Sequence, residues 1–326
     1  MGEATWRDRR VLVTGAAGLL GSSLTRELLD LEAEVVVVLR DRVAWSDLFR
    51  SDAADRCAVT WADITDIEAM TRIVNEFECT SVFHLAAQTI VGVAVRDPVS
   101  TFESNVRGTW TVLEAARRSG GVEGVVVTSS DKAYGRHTDL PYVEAYSLDG
   151  AEVYEAAKVA TEAVCRPYAV SYGSKIGIAR CGNLFGPGDL NWSRLVPGTI
   201  RSALRGEAPV IRSDGTPVRD YVYVKDAAAG LMALWEAIAD ARLPSGDAVN
   251  LSREEPITVL QMVERVLQAS ERSDLEPVVL GGATDEIPEQ LLSSAKAHDA
   301  LGWRPAWELD DALAETVAWY RQYLGA

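Results

Sequence analysis

Residues 11–21 read VLVTGAAGLLG, and this stretch decides the fold. An apolar run ends in a turn punctuated by three glycines, and a helical pattern over residues 19–31 follows at once. Such a junction is typical of a buried parallel strand that feeds a helix N-terminus, where backbone N–H groups can face a pyrophosphate. The spacing G-x-x-G-x-x-G is a variant of the dinucleotide fingerprint, and a plain tight turn is the alternative. The expected cofactor contacts in this stretch are Gly15, Ala17, Gly18, Leu19, Leu20 and Gly21.

Composition bounds the class of protein. The 326 residues are 48% hydrophobic and 25% charged, which is typical of a globular protein of one large or two modest domains. The formal net charge of −16 argues against nucleic acid or an anionic membrane as a partner. An anionic ligand would therefore need a local cluster of positive charge. Candidates for this cluster are Arg194, Arg201, Arg205, Arg212 and Arg219.

Cysteine usage and the N-terminal residues predict the compartment. Cys57, Cys79, Cys165 and Cys181 lie in apolar runs without metal-ligand spacing, so we expect reduced core thiols and no metal site. The sequence shows neither the apolar core of a signal peptide nor an apolar stretch of membrane length. We therefore expect a cytoplasmic protein with no membrane partner.

Strand and helix patterns alternate through the first half of the chain. After the first strand, apolar runs predict strands over residues 34–39, 58–61, 81–85, 122–128 and 175–180. Helical patterns fill the gaps at 66–76, 99–119 and 151–172. This order predicts an α/β fold with a doubly wound parallel sheet covered on both faces. In such a sheet the ligand binds at the carboxyl ends of the strands.

The residues that follow the second, third and fourth strands are candidates for the rest of a dinucleotide site. An acid at the end of the second strand favours the ribose of NAD and an arginine favours the 2′-phosphate of NADP; Arg40 and Asp41 are both present, and we expect NAD. A solvated strand end is the alternative. Asp63 could accept from the adenine amino group or cap its own turn. His84 is interpreted as a core histidine. Further expected cofactor contacts are Ile64, Leu85, Ala86 and Ala87.

A tyrosine and a lysine one helical turn apart are the candidate catalytic pair. Tyr154 and Lys158 fall in the helical pattern 151–172, so they lie on one face, and the lysine is expected to lower the phenol pKa and make the phenol a usable base. Tyr221 and Lys225 have the same spacing but lie in a segment that alternates like a strand, where four residues span about 13 Å. The helical pair is therefore preferred.

Together these motifs resemble the extended short-chain dehydrogenases/reductases that act on nucleotide sugars. The resemblance rests on TGxxGxxG at 14–21, HLAA at 84–87, NVRGT at 105–109, Ser130 with the Tyr154 and Lys158 pair, RCGNLFGPG at 180–188 and RDYVYVKD at 219–226. It implies a Rossmann fold, with Ser130, Tyr154 and Lys158 as the catalytic triad. Residues implied to contact a nucleotide-sugar substrate are Gln88, Ser130, Asn183, Arg194 and Arg219. For Arg219, an ion pair with Asp220 is the alternative.

The residues after Ser130 separate the activities within this family. Ser130, Asp131 and Lys132 look closest to the CDP-glucose 4,6-dehydratases. In that interpretation Lys132 takes the C5 proton of a 4-keto sugar and Asp131 donates to the departing 6-hydroxyl. A simple ion pair between Asp131 and Lys132 is the alternative.

Two other functions stay open at the level of sequence. The run over residues 219–224 is more typical of epimerases, so an NAD-dependent nucleotide-sugar 4-epimerase is the second hypothesis. A regulatory or structural protein that binds the cofactor but has a silent site is the third.

The resemblance also implies the organisation of the chain. Residues 1–183 and 218–251 are expected to form the dinucleotide-binding domain. Residues 184–217 and 252–326 are expected to form a smaller mixed α/β lobe that binds the nucleotide sugar. The helices over 99–119 and 151–172 are expected to pair into a homodimer.

Overall fold

The strands of the chain are short and most of them are rich in β-branched residues, which favour extended backbone. The computed structural model describes residues 5–282 and 287–325. Within these residues the strands are β1 (Arg10–Thr14), β2 (Glu34–Leu39), β3 (Ala58–Trp61), β4 (Ser81–His84), β5 (Gly124–Ser130), β6 (Ile176–Cys181), β7 (Asn183–Phe185), β8 (Val210–Ile211), β9 (Val218–Arg219), β10 (Tyr221–Tyr223), β11 (Ala248–Leu251), β12 (Ile257–Thr258), β13 (Val278–Val279) and β14 (Glu289–Gln290).

Helices connect most of these strands. In the same described residues they are α1 (Leu19–Asp30), α2 (Asp47–Arg50), α3 (Ala53–Arg56), α4 (Ile67–Glu76), α5 (Val91–Arg96), α6 (Pro98–Phe102), α7 (Gly108–Ser119), α8 (Val153–Tyr172), α9 (Leu195–Arg205), α10 (Val224–Ala239), α11 (Val259–Ala269), α12 (Ala295–Leu301) and α13 (Leu309–Leu324). None of the helices in the described ranges combines the length and the apolar character needed to cross a bilayer.

The main sheet has seven parallel strands in the order β11-β6-β5-β4-β1-β2-β3. Side chains alternate across it, because successive residues of a strand point to opposite faces. In β1, Val11 and Val13 pack with α1 and α10, whereas Leu12 packs with α4, α7 and α8 on the other face. The predicted doubly wound sheet is confirmed.

The helix predicted over residues 99–119 is interrupted. A π-helical turn, Glu103–Arg107, separates α6 from α7. The carbonyl of Asn105 in this turn accepts from the hydroxyls of Thr109 (2.6 Å) and Thr161 (3.0 Å). Its side-chain amide accepts from the backbone N–H of Gln88 at 2.7 Å and donates to the Gln88 carbonyl at 3.1 Å. The turn therefore fixes the loop that leaves β4.

A smaller mixed α/β part lies beside the main sheet, as predicted for the fold class, and its sheets also include β9 and β10, which were predicted to belong to the dinucleotide-binding domain. Short sheets, β12-β9-β14, β13-β8 and β10-β7, combine parallel and antiparallel pairing. A separate core joins β7, α9, α11 and α13 through Phe185, Val196, Met262 and Leu313. Cys79, Cys165 and Cys181 are buried free thiols, whereas Cys57 is half-buried.

Candidate active site

A cleft of about 1270 Å³ opens at the carboxyl ends of the main-sheet strands. It is lined by residues of the glycine turn, of the strand ends and of α8 and α9. All predicted site residues line it, from the glycine turn at 15–21 to Arg219. Four of the five arginines expected to supply positive charge also line it; Arg205 does not.

Two glycines of the turn, Gly15 and Gly21, have no space for a side chain. Gly15 has a φ of +75°, and a Cβ there would lie 2.7 Å from the backbone nitrogen of Ala86. A Cβ on Gly21 would overlap the carbonyl oxygen of Gly15. Gly18 precedes α1, and no side chain caps the helix there. The first N–H groups of α1 are thus left for an anion, which is the environment that a dinucleotide pyrophosphate requires.

Charged side chains line the cleft where β2 and β3 end. Arg40 donates to Asp41 across 2.7 Å, and both side chains are exposed. One oxygen of Asp63 accepts from the backbone (2.8 Å) and the hydroxyl (2.7 Å) of Thr65, so the turn-capping interpretation holds for that oxygen. These contacts lower the pKa of Asp63.

His84 is a core residue, as predicted. Its ring nitrogens pair with the hydroxyls of Thr14 (2.8 Å) and Thr109 (3.2 Å). Burial lowers its pKa to about 3, so the ring is neutral at physiological pH.

The end of β5 presents a serine, an acid and a lysine in succession. The Ser130 hydroxyl donates to Asp131 across 2.9 Å and accepts from the backbone N–H of Lys132 at 3.2 Å. Asp131 is buried, with 4% of its surface exposed. The Lys132 ammonium donates to the side-chain oxygen of Gln290, and among the described residues no ion pair joins it to Asp131. The ion-pair alternative is therefore wrong for this structure.

The tyrosine and lysine of α8 both point into the cleft, but the expected tuning of the phenol is wrong. Burial raises the pKa of Tyr154 to about 12, and a hydrogen bond with Ser130 opposes this only in part. Lys158 is not among the main influences on the pKa of the phenol, and its ammonium donates to the Thr128 carbonyl across 2.9 Å. Burial lowers the pKa of Lys158 itself to about 8.

The second Tyr-x-x-x-Lys motif has another role. Tyr221 lies in β10, whereas Lys225 lies in α10 and donates to Glu315 across 2.7 Å. The two side chains therefore do not share a helix face, as the alternating pattern predicted.

A buried ion pair under the catalytic strand ends was not predicted. Arg180 on β6 donates twice to Glu162 on α8, at 2.9 and 2.7 Å, and once to the Tyr134 hydroxyl at 2.7 Å. The Ser129 hydroxyl donates to the same carboxylate at 2.5 Å. Glu162 follows Lys158 by four residues, so the helical spacing placed it on the catalytic face and was the available signal. The pair ties β5, β6 and α8 together directly behind Ser130.

The predicted substrate residues line the other part of the cleft. The side-chain nitrogen of Asn183 is buried and has no hydrogen-bond partner in the described structure. Arg194 pairs with Asp189 at 3.0 Å. Arg219 is buried. The carboxylate of Asp220 accepts from the backbone N–H groups of Arg253 and Glu254. An unsatisfied amide and two arginines suit a polar, anionic ligand.

Comparison with known proteins identifies the family. The profile of the NAD dependent epimerase/dehydratase family matches residues 11–252. The chain belongs to this family. It is 28% identical to CDP-glucose 4,6-dehydratase of Salmonella typhimurium, over 98% of this chain and 92% of that protein. It is 32% identical to UDP-glucose 4-epimerase of Mycolicibacterium smegmatis, over 96% of this chain and 98% of that protein.

A solved structure of the epimerase/dehydratase family agrees in fold and cofactor. The dTDP-glucose 4,6-dehydratase of Streptomyces venezuelae, solved with NAD bound, superposes with a TM-score of 0.85 at 28% identity, covering 97% of this chain and 98% of that one. The chain is thus an NAD-dependent enzyme of this family, and the prediction of NAD is confirmed. The glycine turn fits the cofactor, since its glycines let the turn pack closely on the backbone of residues 85–86 and no side chain caps the N–H groups at the start of α1.

Proposed function

We propose that the protein is a nucleotide-sugar 4,6-dehydratase, with CDP-glucose or a similar compound as substrate and a 4-keto-6-deoxy sugar as product. The observation that carries the proposal is the position of Asp131. Its carboxyl group is buried, hydrogen-bonded to Ser130 and directed at the cleft that Tyr154 and Lys158 also line. A buried acid next to the catalytic serine is what elimination of water requires and what epimerisation does not.

Bound NAD supplies a reversible hydride acceptor, which allows oxidation at C4 and reduction at C6 within one turnover. Tyr154 takes the proton of the C4 hydroxyl, and Ser130 hydrogen-bonds the same oxygen. Because the pKa of the phenol is about 12 in this structure, ligand binding has to lower it before the phenol can act as a base. In the proposed mechanism Lys158 holds the nicotinamide ribose.

Elimination then uses the two residues after the serine. The 4-ketone acidifies the C5 proton, which the Lys132 amine removes. The C6–O bond breaks as Asp131 donates a proton to the departing hydroxyl, so a hydrogen and a hydroxyl leave as water. Both side chains line the cleft, which lets each reach a different position of the same sugar.

The substrate's diphosphate is proposed to bind the positive part of the cleft. Arg194 and Arg219 supply charge there, whereas Asn183 and Gln88 supply hydrogen bonds. We assign residues 1–183 and 218–251 to the dinucleotide-binding domain, and residues 184–217 and 252–326 to the nucleotide-sugar lobe.

Incubation with a set of nucleotide sugars tests the proposal. A dehydratase yields a 4-keto-6-deoxy product that absorbs light in alkali, and mass spectrometry shows the loss of water. An unchanged mass with a new stereoisomer would replace the dehydratase by the alternative, a 4-epimerase. That alternative is favoured by the identity of 32% to the epimerase of Mycolicibacterium smegmatis. Absence of any product would favour a cofactor-binding protein with a silent site.

Asp131→Asn separates elimination from the earlier steps. The amide keeps an acceptor for Ser130 but cannot donate the proton, so we expect dehydration to fall by about 10²–10⁴-fold. Exchange of the C5 hydrogen with deuterated solvent should persist, because Lys132 is unchanged. Asp139→Asn, an exposed carboxyl outside the cleft, is the matched control. Full water elimination by Asp131→Asn would remove the general acid from the mechanism.

We also propose a homodimer formed through the helices over residues 99–119 and 151–172, which are α6, α7 and α8. Several apolar side chains of these helices are exposed: Val99, Phe102, Trp110, Val170 and Tyr172. A surface of this kind typically contacts a partner. Light scattering of the purified protein decides between one copy and two.

A further inference from the structure

One contact of the catalytic turn comes from a segment far along the chain. The Lys132 ammonium, which lines the cleft, donates to the side-chain oxygen of Gln290 on β14. Gln290 has 2% of its surface exposed and does not line the cleft. It therefore lies behind the lysine and can affect the reaction only through it.

The backbone of Gln290 is held on both sides. β14 pairs in parallel with β9, which places Gln290 opposite Arg219. The next residue, Leu291, accepts from the backbone N–H of Tyr142 at 2.8 Å, and the carbonyl of Tyr142 accepts from the backbone N–H of Ser293 at 2.9 Å. A carboxamide on such a backbone has a defined position.

The other end of the same carboxamide is unsatisfied. The side-chain nitrogen of Gln290 is buried and has no hydrogen-bond partner in the described structure. A buried donor without an acceptor destabilises a fold, so stability alone would favour an apolar side chain at this position. The contact with Lys132 is the one hydrogen bond of this side chain in the described residues, which points to a functional reason for the amide.

We propose that Gln290 is a positioning residue, which holds the amine of Lys132 against the cleft wall and apart from Asp131. The proposal rests on the dehydratase function, in which the two neighbours act as separate base and acid. Without this acceptor, a flexible lysine next to a buried carboxylate would pair with it, and both groups would lose their roles. Other charged side chains around this turn in the described residues include Arg219 on β9, its neighbour Asp220, which interacts electrostatically with Asp131, and Glu155 and Lys158 on α8.

Two variants test the proposal. Gln290→Met removes the acceptor at nearly equal size, and Gln290→Met/Asp131→Asn also removes the carboxylate with which the released lysine would pair. Acylation of the free lysines at a series of pH values, followed by mass spectrometry, reports the reactive fraction of Lys132 in each variant. This readout needs no substrate, so it is independent of the proposed function.

We expect Lys132 to react at higher pH in Gln290→Met than in the wild type, because the released ammonium pairs with Asp131, and we expect this shift to disappear in Gln290→Met/Asp131→Asn. Lys175, which donates to the Ala239 carbonyl away from the cleft, should be unchanged in both variants. Gln290→Met should melt no lower than the wild type, because it removes the unsatisfied donor. Unchanged Lys132 reactivity or a shift to lower pH in Gln290→Met, or a shift that persists without the Asp131 carboxylate, would overturn the proposal.

The product assay completes the test. With the substrate that the wild type dehydrates, kcat of Gln290→Met should fall by about 10-fold to 100-fold with little change in KM, as expected for a misplaced catalytic group. The expected, Asp131-dependent shift in lysine reactivity without any dehydration by the wild type would refute the dehydratase function but retain the contact. A normal kcat in Gln290→Met, combined with wild-type dehydration, would refute the positioning role alone.

Discussion

The two sides of the cleft are built from different parts of the polypeptide. On the glycine side, residues 15–21 and 85–87, the backbone itself forms the wall, and Gly15 and Gly21 leave no space for a Cβ. On the catalytic side, residues 128–132 with Tyr154 and Lys158, side chains form the wall. They converge from β5 and α8 and rest on a buried ion pair between Glu162 and Arg180.

This difference predicts how each side responds to change. The glycine side contains no buried ionisable group among residues 15–21, so it should be sensitive to added volume and insensitive to pH. The catalytic side contains buried groups whose pKa values burial displaces, namely Tyr154 and Lys158. The activity that depends on this side should therefore fall when a single atom is removed, and the stability it contributes should change with pH.

The largest expected effect is on the catalytic side. Tyr154→Phe removes only the phenol oxygen, and we expect turnover to fall by about 10²–10⁴-fold because the proton acceptor is lost. The NAD that copurifies should be unchanged, because the glycine side is intact. Tyr172→Phe, at an exposed tyrosine of the same helix, is the control and should retain full activity. Near-normal turnover in Tyr154→Phe would remove this residue from the chemistry.

Added volume on the glycine side should have the next largest effect. Gly21→Ala places a Cβ onto the carbonyl oxygen of Gly15, so the backbone must move, at a cost of about 1–3 kcal/mol in stability. Retention of NAD after gel filtration should fall together with the melting temperature.

The control for this substitution is Gly92→Ala. This glycine lies in α5 with no atom within 4 Å of a new Cβ, so alanine should be neutral or stabilising by up to about 1 kcal/mol. If both variants bind NAD equally well, the backbone of the turn does not form the cofactor site.

The smallest expected effect is a gain in stability when the buried charge of Lys158 is removed. Burial lowers the pKa of Lys158 from 10.5 in the unfolded chain to about 8 in the folded one, so between these pH values the folded state binds fewer protons. Stability therefore rises with pH across this window, and below pH 8 the charged lysine is unfavourable. Lys158→Met should be inactive but more stable than the wild type at pH 7, by about 1–2 kcal/mol.

Thermal unfolding at several pH values checks this expectation. The stability advantage of Lys158→Met should shrink as the pH rises from 8 toward 10.5. Gly21→Ala, measured in parallel, should differ from the wild type by the same amount at each pH. A pH-independent difference for Lys158→Met would mean that Lys158 is not desolvated.

Much of this architecture could be predicted from local patterns. The alternation of apolar strands with helices was sufficient for a doubly wound sheet, and three glycines at fixed spacing indicated the cofactor turn. The helical spacing of Tyr154 and Lys158 placed both on one face of α8. These signals are local, because periodicity and turn conformation depend on residues within a few positions of one another.

The sequence by itself therefore determined the order of the elements, the family and the residues that line the cleft. Tertiary structure alone decided their chemical state: a phenol whose pKa rises rather than falls, and a lysine that contacts Gln290, 158 positions away, rather than its neighbour Asp131. Tertiary structure also decided two features that were not predicted, namely the π-helical turn and the ion pair between Glu162 and Arg180. The physical reason is that desolvation and long-range hydrogen bonds depend on which segments pack together, and this is set by the whole fold.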